Sequence, residues 1–376
     1  MFVVNERRGK FTQFFVPSML VILSPILLYF IQNCINTIMF TGNIVMNNDL
    51  LIQSLSITFI SHIIAILLVY FVIIPLVDVK TIDKKPIFIK EIGTTILLLF
   101  ITVSVVFIIN LGFKYIINFF NLNPISGYSG IILNSTQASN PLNVIIYFLP
   151  FTIGAPIFEE LVYRRTLLPL MEKRGMSSFV AIIVISVIFA VAHFPNDLVN
   201  GNLYGGIVHI VGVFFISISL GISYVLTRNI IFPIIIHSLI NLISFSGPLI
   251  TVFEDVALNL IYNFVVNLIV ILGIGFMIYC AWCQVKKKNA RWLELTSNKS
   301  IRNIKFGVII FLFIGISSSF LPIILEFFSI MVLVISNNID YYFSVLLFSQ
   351  LSVIIITGWL SKHAKVEVFN KLEKKV

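Results

Sequence analysis

Ten long apolar runs constrain the fold of this chain more than any other feature. Each is close to the length of a helix that crosses the hydrocarbon core of a bilayer, roughly 20 residues. The runs occupy residues 14–36, 50–77, 92–120, 142–170, 178–193, 204–226, 229–247, 257–283, 305–335 and 341–360. They are hydrophobic on all sides, unlike a helix at the surface of a soluble protein. The pattern predicts an all-α fold, a polytopic membrane helix bundle of about ten transmembrane helices.

The composition excludes several other classes of protein. Of the 376 residues, 59% are hydrophobic and 11% are charged, whereas about 25% of the residues in soluble domains are charged. Three cysteines are too few for a chain of this length to be a disulfide-stabilised scaffold. The basic residues lie in clusters between the apolar runs and do not form a surface for nucleic acid. We therefore expect contact with membrane lipid and no nucleic-acid partner.

The distribution of Lys and Arg predicts the orientation of the chain. Basic residues cluster at 80–90, 173–174, 228, 286–291 and 362–375, on alternate connections between the runs. The opposite connections, 37–49, 121–141, 194–203, 248–256 and 336–340, contain no Lys or Arg. Because cytoplasmic loops are enriched in basic residues, both termini are predicted to be cytoplasmic. The net charge of +9 then reflects this orientation and contact with anionic lipid.

Polar residues divide the chain into three predicted parts. Residues 1–140 contain three spans, residues 141–247 a core of four spans, and residues 248–376 three spans with a basic loop and tail. Ionisable groups inside spans cost about 2.5–3.5 kcal/mol each on insertion scales, so each needs a partner or a function. They concentrate in the middle part, where the polar residues are Glu159, Glu160, Arg164, Arg165, His193, His209, His237 and Asn241. A functional site is predicted there.

The fourth span carries two adjacent carboxylates with different surroundings. Two prolines and a glycine precede them and loosen the helix, so that freed backbone carbonyls need another partner. Glu160 and Arg164 stand at i and i+4, the favourable order for an ion pair. Glu159 points about 100° away and has Tyr163 at its i+4 position. Glu159 is thereby the candidate general base.

The fifth and seventh spans add candidate polar partners at helical spacing. Phe189 and His193 share one helix face, and so do His237 and Asn241. An imidazole can accept or donate a proton, and an Asn amide offers two uncharged donors suited to a developing oxyanion. Three helices then contribute Glu, His, and His with Asn to one polar cavity.

The other histidines of the spans are interpreted as structural. His62 and His209 have no partner at helical spacing, and a single His in a span usually serves packing. Both are assigned to packing or to the side of a pore. A zinc site built from Glu159, His193 and His237 is the alternative use of the polar cluster. It lacks an H-E-x-x-H motif and gives Asn241 no part, so no cofactor is expected, with zinc as the alternative.

The order and spacing of these residues resemble a known family. Glu159-Glu160-x-x-x-Arg164, then Phe189-x-x-x-His193, then His237-x-x-x-Asn241 are similar to the motifs of the CAAX prenyl protease type II and bacteriocin-processing (CPBP, or ABI) intramembrane proteases. The resemblance covers about 100 of the 376 residues. It departs from the family at Arg165, where a Gly is frequent. Because Arg is much larger than Gly, we do not expect close helix packing at this position.

The resemblance implies hydrolysis of a peptide bond inside the membrane. Glu159 would activate a water with help from His193, His237 and Asn241 would stabilise the oxyanion, and Glu160 with Arg164 would hold the first helix. The implied substrate is a membrane-associated peptide or protein. Abundant Ile, Phe, Asn and Lys are typical of an AT-rich bacterial genome, which favours the bacterial plasma membrane and a peptide precursor, bacteriocin or membrane-protein terminus as substrate.

Two classes without proteolysis are also compatible with the sequence. The polar cluster could bind a peptide in a bacteriocin-immunity or partner-binding protein. It could also relay protons in a transporter. An immunity protein should remain functional with Glu159→Gln, whereas a protease with this substitution should lose a defined cleavage product. A transporter should show ion-dependent uptake.

Overall fold

The structure is helical. The computed structural model describes residues 9–41, 50–77, 89–119, 133–173, 176–199, 203–285 and 344–355, with a few positions between 321 and 331. No strand occurs among these residues. The helices are α1 (Gly9–Thr41), α2 (Leu50–Leu68), α3 (Ile74–Val77), α4 (Ile89–Phe119), α5 (Ser135–Ala138), α6 (Pro141–Leu149), α7 (Ala155–Glu160), α8 (Leu168–Lys173), α9 (Ser178–Val199), α10 (Leu203–Thr227), α11 (Ile231–Val252) and α12 (Val256–Val285). A further apolar helix covers Ser344–Ile355.

Several of these helices are long and apolar enough to cross a membrane. By length and composition, six such spans lie in the described residues: Leu50–Ile73, Glu91–Ile116, Pro141–Glu172, Gly205–Thr227, Ile231–Val252 and Val256–Trp282. Shorter apolar helices cover Leu23–Met39, Ser178–Phe194 and Ser344–Ile355. The prediction of an all-α, multi-pass membrane protein is confirmed. Most of the predicted span 305–335, both termini and the basic clusters near 85, 290 and 370 lie outside the described residues, so the count of ten and the orientation stay predictions.

Two π-helical segments interrupt the span that carries the carboxylates. Pro150–Gly154 joins α6 to α7, and Leu161–Leu167 joins α7 to α8. In the first, the Ala155 N–H bonds to the carbonyl of Pro150, five residues back. Proline cannot donate a backbone hydrogen bond, which weakens the ordinary i→i−4 ladder at this point. The sequence predicted a loosened helix here, and the structure shows that it takes the form of wider turns on either side of the carboxylates.

A tight turn joins α10 to α11 and sets the start of the helix that carries His237. Arg228 has a φ of 51°, in the left-handed region. The side chain of Asn229 accepts a hydrogen bond of 3.1 Å from the N–H of Ile231. The Arg228 guanidinium pairs with Glu172 of α8, with Nη1 2.8 Å from Oε2. This ion pair ties the turn to the end of the carboxylate-bearing span.

The largest apolar core surrounds the same span. Its buried side chains come from α1, α2, α8, α9, α10 and the π-helical segment Leu161–Leu167. Phe158 of α7, next to the carboxylates, belongs to this core and is 4% exposed. The polar residues of the fourth span are therefore held by packing on several neighbouring helices, a rigid setting for a functional site.

A close crossing of α12 on α4 provides a stability test of the bundle. A Cβ on Gly273 would overlap the hydroxyl of Ser104 and the carbonyl oxygen of Phe100, whereas a Cβ on Gly275 would meet nothing within 4 Å. We expect Gly273→Leu to lower the thermal unfolding temperature in detergent, because backbone atoms cannot move aside and α12 must separate from α4, at a cost of about 1–3 kcal/mol. Gly275→Leu is the matched control. Equal unfolding temperatures for the two variants would contradict this crossing.

Candidate active site

The two carboxylates at the end of α7 differ in accessibility. The side chain of Glu160 is 0% exposed, while that of Glu159 is 20% exposed. Oε2 of Glu159 has no hydrogen-bond partner among the described residues. Glu159 is therefore the more accessible of the two carboxylates, and Glu160 belongs to the protein interior.

Glu160 is neutralised by a buried arginine. Nη1 of Arg164 donates a hydrogen bond of 2.8 Å to Oε1 of Glu160, so the ion pair predicted from the i, i+4 spacing is present. Nη2 of Arg164 donates to the hydroxyl and the carbonyl of Ser217 on α10, at 2.7 and 3.2 Å. The guanidinium carbon lies 4.6 Å from the ring centroid of Phe189. Arg164 thus joins the fourth span to α9 and α10 while carrying its charge in the interior.

Ser217 was not identified from the sequence. A serine in an apolar run carries no signal of its own, because its hydroxyl is satisfied as readily by the carbonyl of its own helix four residues back. Its role here depends on a contact between residues that lie 53 positions apart in the chain.

His237 connects the two carboxylates. Its Nδ1 lies 2.9 Å from Oε1 of Glu160, and its Nε2 lies 3.8 Å from Oε2 of Glu159. A carboxylate oxygen accepts hydrogen bonds, so Nδ1 carries a proton and donates it to Glu160. Nε2 then faces Glu159. The sequence grouped His237 with Asn241, and the structure adds that the buried carboxylate of Glu160 fixes the ring of His237.

Asn241 satisfies a carbonyl that the π-helical segment leaves open. Its Nδ2 donates a hydrogen bond of 2.8 Å to the carbonyl of Phe151. In a π-helix this carbonyl would accept from the N–H five residues on, but that residue is Pro156, which has none. The amide of Asn241 takes its place and ties α11 to the bend. One of its two N–H groups is used, and the second can serve a ligand.

The Phe151 carbonyl bonds to Asn241 because Pro156 has no N–H to offer it. We therefore predict that a substitution at Pro156 compensates for the loss of Asn241. Asn241→Ala should lower the thermal unfolding temperature by the equivalent of about 1 kcal/mol, because the partly buried carbonyl of Phe151 loses its donor. Adding Pro156→Ala should recover part of that loss, because an alanine in place of the proline would bring the missing N–H. The check is thermal unfolding in detergent of wild type, both single variants and the double variant. Purely additive effects would contradict a shared role at Phe151.

His193 packs against the ring of Phe189, which also packs against His237. Its Nδ1 donates to the carbonyl of Phe189, at 2.8 Å. Its ring centroid lies 4.8 Å from that of Phe189, which in turn packs edge-on at 6.0 Å against His237. The ring of His209 packs edge-on against His193 at 5.9 Å. The predicted cooperation of His193 with Glu159 stays a prediction.

A comparison with known families bears on this site. Residues 141–243 match the model of a family described as type II CAAX prenyl endopeptidase Rce1-like. This segment is similar to that family and is called the Rce1-like domain below. The match confirms the resemblance inferred from the three motifs. No curated protein and no solved structure matches the chain.

All six predicted site residues lie inside the Rce1-like domain, and so does Ser217. These predicted residues are Glu159, Glu160, Arg164, His193, His237 and Asn241. The structure joins Glu159, Glu160, Arg164 and His237 in one connected cluster. It places Asn241 one turn further along α11, on the backbone of the same span. The description of the matched family is that of an endopeptidase.

Arg165, the departure from the family pattern, is accommodated outside this cluster. Its guanidinium carbon lies 5.4 Å from the ring centroid of Tyr70. Tyr70 belongs to the π-helical segment Val69–Ile73 and Arg165 to Leu161–Leu167. The larger side chain thus stacks on an aromatic ring of a neighbouring helix.

The zinc alternative depends on how the possible ligands are grouped. Among the described residues, no three His, Cys, Asp or Glu side chains are grouped so that they could hold one metal ion. The predicted set of Glu159, His193 and His237 belongs to these residues. Metal independence itself stays a prediction, which a chelator and metal analysis of the purified protein can test.

Proposed function

We propose that this protein is an intramembrane endopeptidase of the bacterial plasma membrane that hydrolyses a peptide bond of a membrane-associated peptide or protein. The observation that carries the proposal is the pairing of an accessible carboxylate, Glu159, with a histidine nitrogen whose orientation a buried carboxylate fixes. The Rce1-like domain supplies the reaction class.

In this proposal, Glu159 activates the water molecule that attacks the peptide bond. Oε2 of Glu159 and Nε2 of His237 lie 3.8 Å apart, too far for a direct hydrogen bond but close enough to bind one water molecule between them. In the proposed step, Glu159 accepts a proton from this water while the oxygen attacks the carbonyl carbon of the scissile bond. General-base help of this kind contributes about 10²–10⁴ in rate.

We assign the stabilisation of the oxyanion to two groups. The second N–H of Asn241 and a protonated Nε2 of His237 are donors on the same helix face. A His237 with protons on both nitrogens donates one to Glu160 and the other to the oxyanion. The tetrahedral intermediate then collapses as the C–N bond breaks and Glu159 returns its proton to the leaving amine. The products are a carboxylic acid and an amine, and the enzyme regains its starting state.

The Glu160–Arg164 pair and Ser217 hold this arrangement. Oε1 of Glu160 accepts hydrogen bonds from both Arg164 and His237. A movement of the arginine would therefore change the orientation of the histidine. We assign Glu160, Arg164 and Ser217 to positioning, because none of them needs to touch the substrate in this mechanism.

The substrate is proposed to present its cleaved bond at the membrane. The matched family is described by action on CAAX prenyl peptides, and the composition of this chain favours a bacterial peptide precursor, bacteriocin or membrane-protein terminus.

The proposal is tested with purified protein in lipid nanodiscs. Internally quenched peptides, one farnesylated with a C-terminal CAAX sequence and one without lipid, are incubated with wild type, and the products are identified by mass spectrometry. We expect a single cleaved bond and no effect of 1,10-phenanthroline. Stoichiometric zinc in the protein, together with inhibition by the chelator, would overturn the metal-independent mechanism. Ion-dependent uptake without cleavage would favour a transporter.

A further inference from the structure

His62 of α2 packs on the turn of the fourth span that precedes Glu159, although α2 is outside the Rce1-like domain. His62 is buried, with 5% of its surface exposed, in a span without charged residues. Its charge and that of Glu159 interact, although no hydrogen bond or ion pair joins the two side chains among the described residues. The sequence assigned His62 to packing or to the side of a pore because helical spacing within α2 offers no partner. The carboxylate that its charge meets lies on another helix, 97 residues away along the chain.

The position of His62 depends on a glycine. A Cβ on Gly154 would lie 3.0 Å from both Cβ and Cγ of His62, tighter than an ordinary contact. Gly154 ends the π-helical segment that precedes the carboxylates. The ring of His62 also packs edge-on against Phe158 at 6.2 Å. The imidazole is thus held against the helix one turn before Glu159.

The orientation of the His62 ring is fixed by its own helix. Nδ1 lies 2.7 Å from the carbonyl oxygen of Thr58. A carbonyl only accepts, so Nδ1 carries a proton and donates it. Nε2 is then the ring nitrogen available to a second group.

We propose that His62 is a positioning residue for Glu159, an inference that rests on the proposed function. Its imidazole holds the carboxylate through a water bound between the two side chains, so that Oε2 faces Nε2 of His237. The charged groups that act on Glu159 include His62, His237, Glu160 and Arg164. Of these four, His62 alone comes from outside the Rce1-like domain. The N-terminal helices therefore complete the active site and are required for turnover.

The first test measures the coupling of His62 to Glu159 without using activity. Thermal unfolding in detergent is compared for wild type, His62→Phe, Glu159→Gln and the double variant. We expect the shift of the double variant to depart from the sum of the single shifts by about 2 °C or more, because side chains that share one hydrogen-bond network are energetically coupled. Glu172→Gln is the matched control, since it makes the same change about 20 Å further along the span, and its shift should add to that of His62→Phe. If the shifts in unfolding temperature are additive for His62 with Glu159, as they are for His62 with Glu172, the inference is overturned.

The second test separates positioning from packing. With the farnesylated peptide in nanodiscs, His62→Phe should lower kcat by about tenfold to a hundredfold and leave KM nearly unchanged. His62→Gln, whose amide reaches the place of Nε2, should recover most of the loss. His62→Asn, whose amide reaches only the place of Nδ1 and keeps the bond to Thr58, should not.

Recovery by Asn and not by Gln would show a packing role and overturn the inference. If wild type does not cleave the peptide, the proposed function fails for this substrate. The unfolding cycle still decides whether His62 acts on Glu159, so the two failures are distinguishable.

Discussion

Replacing Glu159 with Gln is expected to lower kcat for peptide cleavage by about a thousandfold, while the protein remains folded. Gln keeps the size of the side chain and removes its ability to accept a proton from water. The folded state should be little affected, because Oε2 of Glu159 makes no hydrogen bond to the described residues and the side chain is partly exposed. The measurement is the initial rate of peptide cleavage in nanodiscs, together with the unfolding temperature.

A matched carboxylate serves as the control for this experiment. Glu91 of α4 also has a buried oxygen without a hydrogen-bond partner among the described residues, and it lies outside the Rce1-like domain. Glu91→Gln should cleave at nearly the wild-type rate. A Glu159→Gln variant that retains a tenth or more of the wild-type rate would remove Glu159 from the chemistry.

Replacing Arg164 with Met is expected to have the largest effect on stability. Arg164 and Glu160 are both fully buried, and removing one partner leaves an uncompensated charge in the interior, at a cost of about 3–5 kcal/mol. The variant also loses the hydrogen bonds to Ser217. Arg228→Met is the control, because its ion pair with Glu172 is about one fifth exposed and should cost much less.

A double variant separates stability from catalysis at this pair. In Arg164→Met with Glu160→Gln, neither charge remains, and most of the lost stability should return, since replacing a whole buried pair is often close to neutral. Cleavage should stay about a hundredfold below wild type, because a neutral amide no longer fixes the ring of His237 through a hydrogen bond to a carboxylate. Unfolding temperature and initial rate are measured on the same preparations. If the double variant recovers both the unfolding temperature and the cleavage rate, the Glu160–Arg164 pair serves the fold alone.

Local periodicity was sufficient to predict the features that lie within one helix. The ion pair of Glu160 and Arg164 follows from the 3.6-residue repeat, and so does the shared face of Phe189 and His193. The multi-pass helical fold follows from the apolar runs, since only helices satisfy their own backbone across a bilayer in such a sequence. These predictions needed no knowledge of how the helices pack.

Contacts between helices could not be predicted from periodicity within a single helix. Ser217 of α10 contacts Arg164, and His62 of α2 packs on the turn before Glu159. Nothing in their neighbouring residues shows which side chain they meet. Pro150 and Pro156 marked a weak point in the fourth span, but whether the helix kinks or widens depends on the surrounding packing. Consequently the bond from Asn241 to the Phe151 carbonyl was not predicted, although Asn241 itself was selected.

The most direct test of proteolysis by Glu159 is made in cells. Peptides of the membrane and of the medium are compared by mass spectrometry for cells that express, at matched levels, wild type or Glu159→Gln. We predict at least one peptide end that appears only with wild type, which would also identify the substrate and the cleaved bond. Identical peptide profiles, with an unchanged cellular phenotype, would contradict proteolysis and favour a protein that binds its partner without cleaving it.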